Sequence, residues 1–247
     1  MNLLILRASS QFNRATLPMY GRISVSMDPL FMIITIDGPA GSGKSTVARR
    51  LANKLAVRFL DTGAMYRAIA LAVLNAQIQP EDSQSVASIA RDCRIELKRD
   101  GIELNGVNVT AAIREPEVTT VASIVAANPA VRERLVAMQQ AIGAAGSIVT
   151  EGRDQGTVVF PKAPHKFFLT ASLDARAARR QAELERKSLS QPLHDVMEQI
   201  RLRDQRDEQR ATAPMIPATD AVIVDTSAMC IDEVVQLLYD RIHADAA

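Results

Sequence analysis

The sequence predicts an α/β chain: a parallel sheet flanked by helices, interrupted by a small antiparallel sheet. Three observations carry this expectation. A β-branched run, Ile33-Ile34-Thr35-Ile36, ends in a glycine-rich loop, and a helical pattern opens at Lys44. Strand-like and helix-like stretches then alternate, as parallel strands demand, because each crossover needs a helix's length of chain. Between residues 94 and 109 this order gives way to short alternating runs broken by Asp100-Gly101 and Asn105-Gly106, the dipeptides of tight hairpins.

The loop is the most informative stretch. From Gly38 to Ser45 it reads G-x-x-x-x-G-K-S, the phosphate-binding pattern. A plain glycine turn can match eight residues, but the strand before it and the helix after it select the phosphate-binding reading. Gly38, Gly41 and Gly43 can take backbone angles closed to other residues, so successive N–H groups turn inward towards an anion. Pro39, Ala40, Ser42 and Thr46 complete the loop, and the helix N-terminus behind it adds a positive dipole end. Lys44 supplies a point charge for the β- and γ-phosphates, and the Ser45 hydroxyl is placed to bind Mg²⁺. A nucleoside triphosphate ligand and a P-loop NTPase-type fold are the expectation.

In order along the chain, Val47, Ala48, Leu51, Ala52 and Leu55 recur at helical spacing. Val57 to Leu60 reads as a second buried strand, and a helix over about 64–76 carries Tyr66 and Arg67 in its first turns. A short amphipathic helix follows from Asp82, then the hairpin stretch, then two helices over roughly 117–127 and 129–142, broken at Asn128-Pro129. Ile148-Val149-Thr150 is the next core strand and delivers Glu151-Gly152-Arg153-Asp154 to the same sheet edge as the loop. Residues 166–170 form another strand, and a helix starts near Ser172. From there to Arg210 the chain is charged, and most of its arginines, Arg176, Arg179 and Arg180 among them, read as a solvated helix face. Arg203, Arg206, Asp207 and Arg210 differ: they fall at steps of three and four, and guanidiniums gathered on one face call for an anion. A strand over 221–224 and an amphipathic helix over 231–242 close the chain.

Composition narrows the classes. The 247 residues are 47% hydrophobic and 23% charged, enough for a full core. Lys+Arg 29 against Asp+Glu 28 leaves a net charge of +1, so no global field draws the protein to nucleic acid or to a membrane surface. No apolar run approaches the roughly 20 residues that span a bilayer. Cys93 and Cys230 fit no metal or redox spacing and read as two buried reduced thiols, which suits a cytoplasmic protein.

Residues 1–31 read as an extension outside the fold. Leu3-Leu4-Ile5-Leu6 is too short for a signal-peptide core, while Arg7, Arg14 and Arg22 with several serines and no acid before Asp28 match the composition of an organelle transit peptide. The simpler explanation is translation from Met27 or Met32. A chain beginning at Met32 is expected to keep full activity and nearly unchanged thermal stability. A large loss of either, in a side-by-side assay and melt, would show that the segment packs on the domain.

The combination of Gly38–Thr46, Leu60-Asp61-Thr62-Gly63-Ala64-Met65-Tyr66-Arg67, Gly152-Arg153-Asp154-Gln155-Gly156-Thr157-Val158-Val159-Phe160-Pro161 and Arg203-Asp204-Gln205-Arg206-Asp207 resembles the bacterial cytidylate kinases, in order from about Met32 to the end. The resemblance implies ATP as phosphate donor, with Mg²⁺, and CMP or dCMP as acceptor, in a monomer of pyrimidine metabolism. It implies a core over 32–80 and 128–247, a short helical lid near 186–214, and a nucleoside-monophosphate-binding insertion over 81–127. By the same resemblance, Thr62, Arg67, Arg153, Arg203 and Arg210 surround the acceptor phosphate, and Asp207 meets the sugar hydroxyls. Ser123, Arg132 and Asp154 meet the cytosine, whose amino donor and N3 and O2 acceptors a carboxylate and a guanidinium complement. Ser123 also fits plain helix packing, and Arg206 leans towards the lid and the ATP phosphates. Lys44, Arg153, Arg203, Arg206 and Arg210 are the implied catalytic set. Two other classes stay open at this stage: a kinase for another acceptor, such as a different nucleotide or shikimate, and a regulatory protein that binds nucleotide without transferring phosphate.

Overall fold

The structure, a computed structural model, describes residues 32–98, 101–186 and 188–244. The extension 1–31 and Asp100 of the first hairpin turn lie outside the described residues. In chain order the elements are β1 (Ile33–Asp37), α1 (Lys44–Lys54), β2 (Arg58–Asp61), α2 (Thr62–Asn75), α3 (Ser83–Asp92), β3 (Ile95–Lys98), β4 (Gly101–Leu104) and β5 (Val107–Asn108). There follow α4 (Pro116–Val125), α5 (Pro129–Ala144), β6 (Ile148–Gly152), β7 (His165–Thr170), α6 (Leu173–Arg186), α7 (Leu193–Glu208), β8 (Val222–Asp225) and α8 (Ile231–Ala244).

Strands β2-β6-β1-β7-β8 form one sheet in that order, every pair parallel, and β3-β4-β5 form the small antiparallel sheet. Placing β1 between β6 and β7 decides where the chemistry sits. The register pairs Ile36 with Glu151 and Asp37 with Gly152, so the loops after β1 and β6 leave the sheet side by side at its carboxyl end. Such an edge, where neighbouring crossovers diverge, is where open α/β sheets bind ligands.

The apolar residues divide between the sheet's two faces. Ile34, Ile36, Val149, Phe167, Leu169 and Val224 pack with Val47 and Leu51 of α1 and Val234 and Leu238 of α8. On the other face Leu60 and Ile148 pack with Met65 and Ile69 of α2, Leu135 of α5 and residues of the insertion, including Val86, Ile102 and Val121. A third, small cluster joins α6 to α7 through Ala177, Leu184, Val196 and Ile200, giving that hairpin a core of its own.

Several expectations change in detail. α2 starts at Thr62, earlier than the periodicity suggests, because Asp61 caps it and accepts the Ala64 N–H at 2.8 Å. The charged stretch after Ser172 is two helices, with Pro192 at the N-cap of α7. A 3₁₀ turn over Ala112–Arg114 and a π-helical turn over Gln155–Val159 had no sequence signal. Cys93 is buried as expected, but Cys230 is exposed in the turn before α8, where its own N–H donates to Glu233. The reading of two buried thiols therefore fails for Cys230.

Candidate active site

The loop after β1 is shaped by its neighbours. A Cβ on Gly38 would lie 2.1 Å from the Leu169 carbonyl oxygen of β7, so only glycine lets the chain pass there. Gly43, with φ of 88°, is the N-cap of α1 and brings no side chain to cap it, and the first turn of α1 holds no acid. The amides at that helix end and its positive dipole end are thus left for an anion. Lys44 is 5% exposed and donates to the Pro39 carbonyl at 2.8 Å, folded back inside its own loop. Burial first, then the nearby Arg153 guanidinium, pushes the Lys44 ammonium below its usual range. Ser45 and Thr46 are exposed at the start of α1. Side chains far along the chain clamp the loop: the Ala40 N–H donates to Asp204 at 3.0 Å, and Arg176 donates to the Ala40 carbonyl at 3.1 Å and pairs with Asp204. Thr226 donates to the Ser42 carbonyl at 3.2 Å.

Beside the loop lies a dense cluster of cations. Arg153, at the end of β6, donates through Nε to Asp207 of α7 at 2.7 Å, and Arg210 approaches the same carboxylate at 3.3 Å. Burial alone would raise the Asp207 carboxyl, but Arg153, Arg210 and Arg203 outweigh it and hold the group below the usual range. Burial lowers Arg203 to about 10, and the Arg153 charge adds to the effect. Arg67 reaches Asp61 at 3.4 Å. Glu151 is buried between these groups, and burial, then the Asp61 charge, raises its carboxyl. Arg67 Nε and Arg203 Nε are buried with no hydrogen-bond acceptor among the described residues, and Arg210 Nη2, though 3.3 Å from Asp207 Oδ1, makes no well-aligned hydrogen bond there. Donors left without acceptors in this way are costly, and an anion with several oxygens is the group that satisfies them together.

Next to the cluster, Arg132 of α5 and Asp154 form a buried ion pair, with side chains 4% and 6% exposed. Tyr66 lies close by: burial pushes its phenol up to about 12, with Arg132 opposing and Asp154 adding to the rise. Arginine and aspartate together offer both donors and an acceptor in one plane-matching set, the complement of a polar base edge.

The other expected residues are held as follows. The Thr62 hydroxyl donates to the Glu151 carbonyl at 2.7 Å, and the Ser123 hydroxyl to the Thr120 carbonyl within its own helix at 2.9 Å, each keeping its acceptor lone pairs. Arg206 is exposed, off the face that carries Arg203 and Asp207. Arg210 lies beyond the Gln209 C-cap of α7, so it reaches Asp207 through the chain's turn and not along a helix face. Arg176 and Arg179 overturn the solvated-face reading: Arg176 is tied to the loop, and Arg179 donates to the Thr226 hydroxyl at 3.1 Å and pairs with its carbonyl. Arg180 and Arg201 do keep to it, each paired at i,i+3 with Glu183 and Glu198. Sequence reasoning gave no role to Asp37, Asp61, Glu151, Asp204 or Arg176. The only sequence signal for three of them was position, since Asp37, Asp61 and Glu151 all stand at strand ends beside a motif.

Comparison with known proteins bears on this geometry. The family profile described as Cytidylate kinase matches residues 34–244. A cytidylate kinase of Pelotomaculum thermopropionicum is 44% identical over 219 residues, covering 87% of this chain and 97% of that one. A cytidylate kinase of Limosilactobacillus reuteri is 47% identical over 207 residues, covering 82% and 91%. A bifunctional pantoate ligase/cytidylate kinase of Acaryochloris marina is 46% identical over 217 residues, which are 85% of this chain but only 41% of that longer protein. With its phosphate loop, arginine cluster and Arg132–Asp154 pair all inside the matched span, this chain belongs to the cytidylate kinase family.

Proposed function

We propose that the protein transfers the γ-phosphate of ATP to CMP or dCMP, giving ADP and CDP or dCDP, as a monomer in the cytoplasm. The observation that carries this reading is the second anion pocket beside the phosphate loop, where buried guanidinium nitrogens of Arg67 and Arg203 lack acceptors and Arg210 and Arg153 share the single carboxylate of Asp207. A regulatory nucleotide binder has no use for it, and a monophosphate dianion fits it. The Arg132–Asp154 pair next to it matches cytosine: the carboxylate accepts from the base amino group while the guanidinium donates to N3 or O2. Asp207 serves the sugar hydroxyls in this arrangement.

No protein base is required. A phosphate monoester has a second pKa of about 6, so the acceptor oxygen is already ionised at neutral pH. Lys44, Arg153, Arg203 and Arg210 align two anions that repel each other and stabilise the charge that develops between them. Among the described residues no three His, Cys, Asp or Glu side chains gather as a metal cage. That suits Mg²⁺, which favours substrate phosphates and water over an all-protein cage, with the exposed Ser45 hydroxyl as the protein ligand. When bound, it neutralises charge on the donor phosphates. A short lid near 186–214, reaching from the end of α6 through α7, carries Arg206 towards ATP on closure and excludes water. Residues 81–127 move with the acceptor.

A coupled ADP-release assay with CMP, dCMP, UMP, AMP and no acceptor tests the reading. The cytosine nucleotides are expected to give the highest kcat/KM, over a small acceptor-free background. Equal rates with and without acceptor would sink it, as would a preference for AMP or UMP.

A further inference from the structure

Asp37 ends β1 immediately before the phosphate loop and is 5% exposed, and both of its carboxylate oxygens are engaged by backbone amides. Its Oδ1 accepts the Gln155 N–H at 2.9 Å and its Oδ2 accepts the Gly156 N–H at 2.8 Å. Those amides open the π-helical turn Gln155–Val159 and have no acceptor within that turn. The turn's first carbonyl, that of Asp154, instead takes the N–H groups of Val158 and Val159 at 2.9 and 3.2 Å. Arg153 and Asp154, the two acceptor-site residues, are the two residues that precede this turn. The approach is close: a Cβ on Gly156 would stand 3.0 Å from Thr35 Oγ1 and 3.4 Å from Asp37 Oδ2.

We propose that Asp37 is a positioning residue that holds Arg153 and Asp154 in register with the phosphate loop by accepting both amides at the start of the 155–159 turn. The inference rests on the acceptor site proposed above. A strand end and a turn 118 residues apart are joined at two points by one carboxylate, which fixes both position and rotation. A π-helical turn is a marginal structure, and turns of this kind recur at functional sites. Here the turn aims Arg153 at Asp207 and Asp154 at Arg132. The carboxylate's environment adds a pH dependence. Asp37 is raised to about 7: burial raises it, the two amides offset part of that, Asp154 adds to the rise and Lys44 of α1 opposes it. Lys166 of β7 flanks Gly156, but its ammonium is held by Asp220 and the Pro161 carbonyl. The sign follows directly: above this value the ionised group accepts from both amides, and below it the protonated group keeps one.

Asp37→Asn tests the idea, since an amide has one acceptor oxygen and turns a second donor against the other N–H. At pH 8 the variant is expected to raise KM for CMP about ten- to a hundredfold and to narrow the CMP/UMP preference. Affinity for ATP, measured without acceptor by displacement of a fluorescent analogue, should change less than about threefold. In the wild type, KM for CMP should rise below about pH 7 more steeply than ionisation of the acceptor accounts for, and the variant should lack that excess. If Asp37→Asn does not fold, Gly156→Ala crowds the same contact without altering charge and should raise KM for CMP while sparing ATP. A KM for CMP within twofold of wild type in a folded variant overturns the inference, and so does an equal loss of ATP affinity. Failure of both variants to fold assigns Asp37 to the fold alone and also overturns it. Absence of CMP turnover by the wild type would instead count against the proposed function.

Discussion

Replacing Lys44 by alanine is expected to lower kcat by about two to three orders of magnitude while the protein stays folded. The fold should survive because other groups hold the loop: Asp204 and Arg176 on the two backbone groups of Ala40, Thr226 on Ser42, and the Val47 amide on the Gly43 carbonyl. Lys44 contributes one bond to the Pro39 carbonyl and a buried charge that its surroundings oppose. Binding a polyphosphate reverses that opposition. Because the free site depresses Lys44 below its usual range, ATP binding above neutral pH should draw a proton onto the neutral Lys44 amine, giving the ammonium, and affinity should weaken as pH rises. Calorimetry at pH 8 in two buffers of different ionisation enthalpy reads the uptake, which Lys44→Ala should abolish. Near-normal turnover in the folded variant would remove the phosphate-loop argument.

How much of this site a reader of the sequence can find depends on the range over which each contact acts. The phosphate loop is legible because all of its chemistry lies within nine consecutive residues, Gly38–Thr46. Arg203 and Asp207 are legible because a helix brings residues four apart to one face. The parallel sheet follows from alternation, and the inserted sheet from its turn dipeptides. Asp37 is different: its partners are two backbone amides across the sheet, and a backbone amide has no residue identity to recognise. Arg176 sits in a stretch whose alternating charges match a solvated helix, and only the fold brings Ala40 and Asp204 against it. Arg210 misleads for a related reason. Its spacing continues the helical count, but α7 stops at Glu208 and the Met215 amide returns to the Asp207 carbonyl at 2.9 Å. Helical periodicity reports faces, not ends.

Asp154→Asn is expected to cost CMP roughly one to two decades in kcat/KM and to cost UMP less, so that the CMP/UMP ratio falls sharply. Cytosine presents an amino group where uracil presents an oxygen, and a carboxylate attracts the first and repels the second. Asparagine removes the charge and can turn its own donor towards uracil. The structure adds a second consequence, because Asp154 is also the buried partner of Arg132. Removing one member of a buried ion pair costs about 3–5 kcal/mol when nothing replaces it. Asparagine still offers Arg132 an acceptor oxygen, so the loss of thermal stability should be smaller than for Asp154→Ala. Melting curves for both variants separate this contribution from catalysis, and rates are compared per folded enzyme. Arg132 remains able to donate to O2, the acceptor that cytosine and uracil share, so a shared loss through Arg132 would lower CMP and UMP equally. The differential between the two nucleotides therefore isolates the contact of Asp154 with the exocyclic group. If both fall by the same factor, Asp154 acts only by holding Arg132, and the cytosine amino group is read by another residue.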